Sequence, residues 1–402
     1  MPPACAGRPP PFVSSSLLLP TLLNREVTLV PEIVIGSRNQ KSAFFEATMK
    51  AGACAFTVYN GMYLPASYGD PAEEYQRLTE RVALWDVSSE RQIEISGPDA
   101  FALTNYLSAR DLTGMKVGRA RYAPLCDHQG RIINDPVVLR VDEDRYWLSL
   151  ADSNIWLWAR AIAGERGDDV RIFEAAASPL AIQGPRADDL ARDLFGAEMV
   201  DGLGFFHHCP TEVDGISLVL CRSGWSKQGG FELFLTDEPQ GERLWDVVMD
   251  AGQQYGIGPG APNHQERIES GLLSFGSDHD RDTDPIEAGL GAYTSLSSDH
   301  QFLGRAALEA RLDRPIRRNL VNVRLAGDLV PCVHPWPASI DGKQIGMLHN
   351  AIWSPRLDAW IGVAQLATPH DAPGTAFDVA LPGGTHTTAT VHHEPFGAIQ
   401  TV

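Results

Sequence analysis

The sequence predicts an α+β protein in which two related units, each interleaving helices with antiparallel strands, precede a β-rich terminal domain. Three observations carry that expectation. A strand, a Gly-Pro turn and a helical pattern in RQIEISGPDAFALTNYL (91–107) return in ASPLAIQGPRADDLARDLFG (177–196). Each copy is followed by short alternating stretches that read as antiparallel strands. Beyond Arg314 the texture changes to strand-length runs parted by Gly, Pro and Asp, as in a sandwich or a barrel.

In chain order, the amino terminus MPPACAGRPPPFVSSSLLLPTLL has Arg8 as its only basic residue, ahead of an apolar stretch broken by Pro20. No clean small-residue cleavage site follows, so residues 1–35 are expected to be a disordered extension rather than a signal peptide. No apolar run approaches the roughly 18 residues of a membrane span. In the two copies Gly97-Pro98 aligns with Gly184-Pro185, and Ala100 and Ala187 keep the same offset. Proline is expected in the first helical turn, where its missing N–H is no loss. Strands follow in RYAPLCD, RIINDPVVLRV and RYWLSLA, then in TEVDGISLVLCR and GGFELFLTD, before a helix in GERLWDVVMDAGQQYG. ERIESGLLSFGSD (266–278) reads as a further helix. RPIRRNLVNVRLAGD, KQIGMLHNAIWS, AWIGVAQLA, AFDVALP and TTATVHH supply the terminal strands. Two domains are therefore expected, 36–314 and 319–402, with a hinge at Asp313-Arg314-Pro315.

The 402 residues are 44% hydrophobic and 21% charged, enough for a large buried core. The formal net charge is −18 and the pI about 5.0. A field of that sign repels phosphate backbones and anionic lipids, so neither nucleic acid nor a membrane surface is an expected partner. The six cysteines include no CxxC pair, which argues against a disulfide framework and for a reducing cytoplasm. His207-His208 and His392-His393 lack the spacing that puts two ligands on one helix face, so no metal is expected.

Several chemistries lack their fingerprint. No GxGxxG follows a strand, and GIGPG (256–260) contains proline; GxxxxGK[ST] and GxSxG are absent. Three segments stand out instead. In IINDPVVL, Asp135 sits at a strand end, where a carboxylate can orient or deprotonate an amine, although Asn-Asp-Pro also reads as a plain turn. RSGWSKQGGFE places Trp225 and Lys227 in a glycine-bracketed loop, or an ordinary hairpin. ERIESGLLSFGSD has Arg267 and Glu269 near its start, which a surface pair would also explain.

These segments resemble the folate-binding aminomethyltransferase superfamily, founded on the glycine-cleavage T-protein. WDVSSERQIEISGPDA is similar to its DVSHM-type segment and GPDA turn, GRIINDPVVL to GGxIDD, SGWSKQGGFE to TGExGFE, and RIESGLLSFGSD to RLExGLxLYGxD. The resemblance runs from about Thr57 to Val402. It implies the aminomethyltransferase fold: two ferredoxin-like folate-binding units and a C-terminal β-barrel-like domain around a central folate channel. Within the superfamily, TVYNGMYLP, the Trp-Asp-Val-Ser-x-Glu-Arg-Gln string, Asn134-Asp135-Pro136, LSLADS and SGWSKQGG most resemble the tetrahydrofolate-dependent dimethylsulfoniopropionate demethylases.

That likeness implies a methyltransferase moving a methyl group from a small-molecule sulfonium donor to N5 of tetrahydrofolate. The products would be methylthiopropionate and 5-methyltetrahydrofolate. By position, Glu232, Arg267 and Tyr122 are expected at the folate, with Asp135 orienting the pterin and taking up the N5 proton. Tyr59, Tyr122 and Trp225 would offer aromatic faces to the cation, and each equally suits core packing. Lys227 is the expected partner of the donor's carboxylate. No metal is required. One departure bears on the donor: those demethylases read Tyr-Asn-His-Met, whereas Gly61 follows Asn60 here. A demethylase of a methoxy-aromatic or a methylamine, or a glycine-cleavage aminomethyltransferase, therefore stays open. The SKQGG loop speaks against the last, and the lack of a loop cysteine against a non-catalytic folate-binding relative. The resemblance supports a homodimer, which nothing in the residues compels.

Overall fold

Asn60-Gly61, the strongest short hairpin signal a sequence carries, joins the first two strands. Both residues have positive φ, 49° and 72°, and they join strands Ala55–Tyr59 and Met62–Ser67 with Tyr59 opposite Met62. This computed structural model describes residues 35–312, 318–332, 334–392 and 396. The extension expected at 1–35 and the hinge at 313–315 thus fall outside the described residues, Ile35 excepted. Arg38–Val402 forms a single compact unit.

Two large sheets form most of the first part. One has five antiparallel strands in the order Arg171–Glu174, Gln92–Ser96, Arg145–Ser149, Val137–Asp142, Arg119–Tyr122. The other has six, in the order His208–Val213, Ile216–Cys221, Gly230–Leu235, Ser178–Gln183, Val82–Asp86, Ile257–Gly260, with only the last pair parallel. GIGPG is therefore an edge strand. Side-chain alternation explains how the sheets meet. Val138 and Leu148 face Leu103, Leu107 and Ile155 of the covering helices. Their neighbours Leu139 and Trp147 face the other way, where Trp147 packs against Phe234 of the six-stranded sheet with ring centroids 6.1 Å apart.

The duplication is physical. Strand Gln92–Ser96 leads through Gly97 to helix Ala100–Leu107, and strand Ser178–Gln183 leads through Gly184 to helix Ala187–Phe195. The two glycines have φ of 128° and 131°, a region closed to other residues. A Cβ on Gly97 would lie 2.7 Å from the Asp169 carbonyl oxygen, and one on Gly184 would overlap that of Arg81. Gly184→Ala is expected to cost about 2–3 kcal/mol, read as a lower urea midpoint. The prolines are placed differently from expectation. Both helices start two residues later, so Pro98 and Pro185 shape the preceding turn and not the first helical turn.

The terminal strands close into a six-stranded barrel: Arg318–Leu325, Ala359–Ala367, Lys343–Ser354, Trp336–Ile340, Ala376–Ala380 and His386–His392, which pairs back to the first. Val323, Leu348, Ala364, Leu366, Val379 and Ala389 fill it. This settles barrel over sandwich. One strand, Trp336–Ile340, goes unannounced in the sequence because Pro337 lies inside it. Pro337 faces Met347 on one side, while on the other only Ala338 and Ser339 pair, so its missing N–H breaks no ladder. Helix 266–278 is also corrected. The helix spans only His264–Glu269, capped by the Asn263 side chain, and Gly271 at φ 70° turns the chain into a loop.

Candidate active site

Asp135 stands on the link between strands Ile132–Asn134 and Val137–Asp142, and its neighbour locks that link. The Asn134 amide donates to the Ala151 carbonyl and to Ser153 Oγ, both at 2.8 Å, and accepts from Ala151 N–H at 3.1 Å. Asp135 Oδ2 accepts the Tyr122 hydroxyl at 2.8 Å and lies 3.6 Å from His279 Nε2. Tyr122 packs edge-on to Tyr293 at 4.9 Å. Burial, and then the Asp135 carboxylate, push the Tyr122 hydroxyl pKa well up. Tyr59, at the hairpin end, is raised by burial first and then by Glu90, Asp135 and Asp152.

Two more carboxyls complete the cluster. Glu90 lies on the link between strands Val82–Asp86 and Gln92–Ser96, and Glu232 on strand Gly230–Leu235. Burial raises Glu90 well above the ordinary carboxylate range; Glu232 raises it further, Ser149 opposes, and Asp135 adds to the rise. Burial also raises Glu232, against the hydrogen bond it accepts from Ser223 Oγ. Glu90 thus lies in electrostatic reach of both Glu232 and Asp135, and Tyr59 and Tyr122 lie beside Asp135. Desolvation and mutual repulsion make that arrangement costly unless a cation or hydrogen-bond donors enter it.

The loop beside the cluster is held from below by Glu266, which is fully buried. Glu266 Oε1 accepts from Lys227 N–H at 3.1 Å, from the Gln228 amide at 2.8 Å and from Ser270 Oγ at 2.7 Å. Trp225 Nε1 donates to the Leu273 carbonyl at 3.4 Å, and the Leu273 side chain shares an apolar cluster with Tyr122. Among the described residues no group of His, Cys, Asp and Glu is arranged to hold a metal ion. A polar cavity of about 320 Å³ lined by Gln40, Ser42, Ser88 and Arg91 contains none of the clustered acids.

Comparison with known proteins places this geometry. The GCVT N-terminal domain family matches residues 44–298, and the glycine cleavage T-protein C-terminal barrel domain matches residues 318–397. The chain belongs to the glycine-cleavage T-protein family. It is similar to the dimethylsulfoniopropionate demethylase DmdA of Ruegeria pomeroyi, 40% identical over 86% of this chain and 94% of that protein. It is also similar to the aminomethyltransferase of Symbiobacterium thermophilum, 30% identical over 86% of this chain and 94% of that protein. The glycine cleavage system aminomethyltransferase T from Bartonella henselae shares the fold, with a TM-score of 0.78, 24% identity, and coverage of 89% and 98% of the two chains.

On this T-protein scaffold the expected residues divide into three groups. Asp135, Tyr122 and Tyr59 converge, and Glu232 joins them through Glu90. Trp225 and Arg267 form a second group, with the guanidinium 5.8 Å from the indole centroid. Arg267, expected at the folate, is fully buried and paired with Asp278 at 2.6 Å, and it also donates to His264 at 3.0 Å and to the Leu272 carbonyl at 3.2 Å. Those bonds make it a support for Trp225 and its loop. Lys227 is exposed and held to the loop through its backbone. Gly61 is exposed too, and a side chain there would enter open space. Its neighbour Asn60 does the anchoring, donating to the Ser89 and Ala151 carbonyls at 3.1 and 3.0 Å. Sequence reasoning missed Glu90 and His279. Glu90 was legible only as the acid of the Trp-Asp-Val-Ser-x-Glu-Arg-Gln string, and His279 only as the neighbour of Asp278.

Proposed function

We propose that the chain is a tetrahydrofolate-dependent demethylase that moves a methyl group from dimethylsulfoniopropionate to N5 of tetrahydrofolate. Methylthiopropionate and 5-methyltetrahydrofolate leave. The carrying observation is the convergence of Glu90, Asp135 and Glu232 beside Tyr59 and Tyr122. A sulfonium is a permanent cation, so a desolvated pocket of acids and aromatic faces favours it over a neutral donor. Glu90 sharpens the point, because the DVSHM-type segment of the aminomethyltransferases has methionine at its place. The 40% identity to a protein named as this demethylase supports the same reading.

The folate fits as methyl acceptor. A pterin edge presents N–H donors, and Glu232 and Asp135 are acceptors without a cation of their own at hydrogen-bond range. A sulfonium needs no acid to assist the departing sulfur. The residues therefore act by alignment and water exclusion, a contribution of roughly 7–11 kcal/mol in well-aligned systems. Asp135 takes the proton that N5 sheds. The same reading carries a cytoplasmic setting and a homodimer, the latter checked by sedimentation.

The test is to incubate the purified protein anoxically with tetrahydrofolate and dimethylsulfoniopropionate, following both products by mass spectrometry. Equal formation of the two is expected; folate binding without turnover would sink the donor assignment. The electrostatics add a pH signature. A cation favours the ionised form of acids whose pKa is raised, so donor binding releases a proton and the donor KM falls as pH rises. Glu90→Gln is expected to raise that KM about tenfold, roughly 1.4 kcal/mol, and to flatten its pH dependence. Tetrahydrofolate affinity, measured by fluorescence, should change little.

A further inference from the structure

One buried side chain at the site remains without a task. His279 is 1% exposed, and neither ring nitrogen makes a hydrogen bond among the described residues. Leaving a buried polar group unpaired works against folding, so such a residue calls for a reason. Its Nε2 lies 3.6 Å from Asp135 Oδ2, a gap that a sub-ångström shift would close. Catalytic hydrogen bonds are commonly long before substrate binds. The ring cannot drift far. Phe275 packs edge-on to it at 5.7 Å, Gly276 N–H donates to the His279 carbonyl at 2.7 Å, and the adjacent Asp278 is clamped by Arg267 and by Ser274 N–H at 2.6 and 2.8 Å. Asp135 Oδ2 thus lies between a phenol and an imidazole. Oδ1, without a hydrogen bond among the described residues, is left to face the reacting amine.

We infer that His279 is a positioning residue for Asp135: its unprotonated Nε2 stores the proton that Asp135 takes from N5, and the imidazolium so formed holds the carboxylate by Oδ2. This rests on the proposed methyl transfer. The N5 lone pair forms the new N–C bond while the C–S bond breaks with its electrons on sulfur. A neutral thioether leaves, and N5 briefly carries the positive charge. Its proton passes to Asp135 and from there to Nε2, giving an imidazolium beside the carboxylate. The positive charge that enters as sulfonium ends on His279, so the buried acids face one cation before and after the transfer. An alkylated amine at N5 is a weak base, and a carboxylate backed by an imidazole is a better sink for its proton than a carboxylate alone.

Tyr122 on its strand, Tyr59 on the hairpin and Glu90 face Asp135, and His349 of the barrel, which also feels Asp278, Asp280 and Arg318, faces His279. Two variants and one spectrum test the inference on the full chain. His279→Gln keeps a hydrogen-bonding side chain but cannot hold a proton; His279→Phe removes both functions. Each is expected to lower kcat about 10–100-fold with both KM values within about twofold, and to shift the acid limb of the kcat profile. Full kcat in His279→Gln, or losses in step with unfolded protein at an unchanged pH profile, would overturn it. If neither variant folds, the imidazole signals of ¹⁵N-histidine-labelled protein decide. The signals of one imidazole should shift between Asp135→Asn and the wild type, and an unmoved set overturns the pairing. Should the wild type form no 5-methyltetrahydrofolate, the proposed reaction fails, while the spectrum still judges the pair independently.

Discussion

Asp135→Asn is expected to lower kcat by about 10²–10⁴-fold while leaving the protein folded. The amide is isosteric, and its oxygen can still accept the Tyr122 hydroxyl that Asp135 accepts at 2.8 Å. The link is held by Asn134, whose amide bonds to Ala151 and Ser153 do not involve the carboxylate. What the amide cannot do is take a proton from N5. The loss should therefore appear in the chemical step, measured as single-turnover formation of 5-methyltetrahydrofolate. Folate binding should stay within a few fold. A rate within about threefold of wild type would remove Asp135 from proton transfer and leave alignment alone to explain catalysis.

Arg267 governs the largest expected effect on stability. It and Asp278 have no exposed side-chain surface and meet at 2.6 Å. Asp278 also accepts Ser274 N–H at 2.8 Å and the amide of Asn350 on a barrel strand, so the pair ties the site loop to the barrel. Removing one member strands the other charge in a medium that cannot solvate it. Asp278→Ala or Arg267→Met is expected to cost about 3–5 kcal/mol, read from the shift of the guanidinium midpoint. Replacing both by apolar residues should cost less than the two single losses together, since no lone charge remains. Additive losses would show that the pair acts through its separate neighbours. Trp225, beneath the guanidinium, reports loosening of the loop through its fluorescence.

Much of the fold was written locally. Gly97 and Gly184 announce themselves because each must turn a strand into a helix where a Cβ would strike a carbonyl oxygen. The hairpin at Asn60-Gly61 and the alternation in Val137–Asp142 and Arg145–Ser149 need no distant information either. Local rules failed where the decisive partner is remote. Residues 270–278 carry helix-like apolar residues, yet they serve as a loop because Leu273 must reach Trp225 and Asp278 must reach Arg267 and Asn350. Pro337 concealed a strand because only barrel closure supplies its partner on one side.

The active site divides along the same line. By itself the sequence determined the duplicated α+β plan and the β-rich end, and its family-like strings marked Asp135 and Glu232 as candidates. All of these rest on residue type and short spacing. Only the tertiary structure decided that Glu90 belongs with them, that His279 lies 3.6 Å from Asp135, and that Arg267 supports the loop instead of reaching outward. The reason is electrostatic. A carboxyl or an imidazole acquires its chemistry from which charges share its low-dielectric surroundings, and residues 90, 135, 232 and 279 come together only when both sheets are packed.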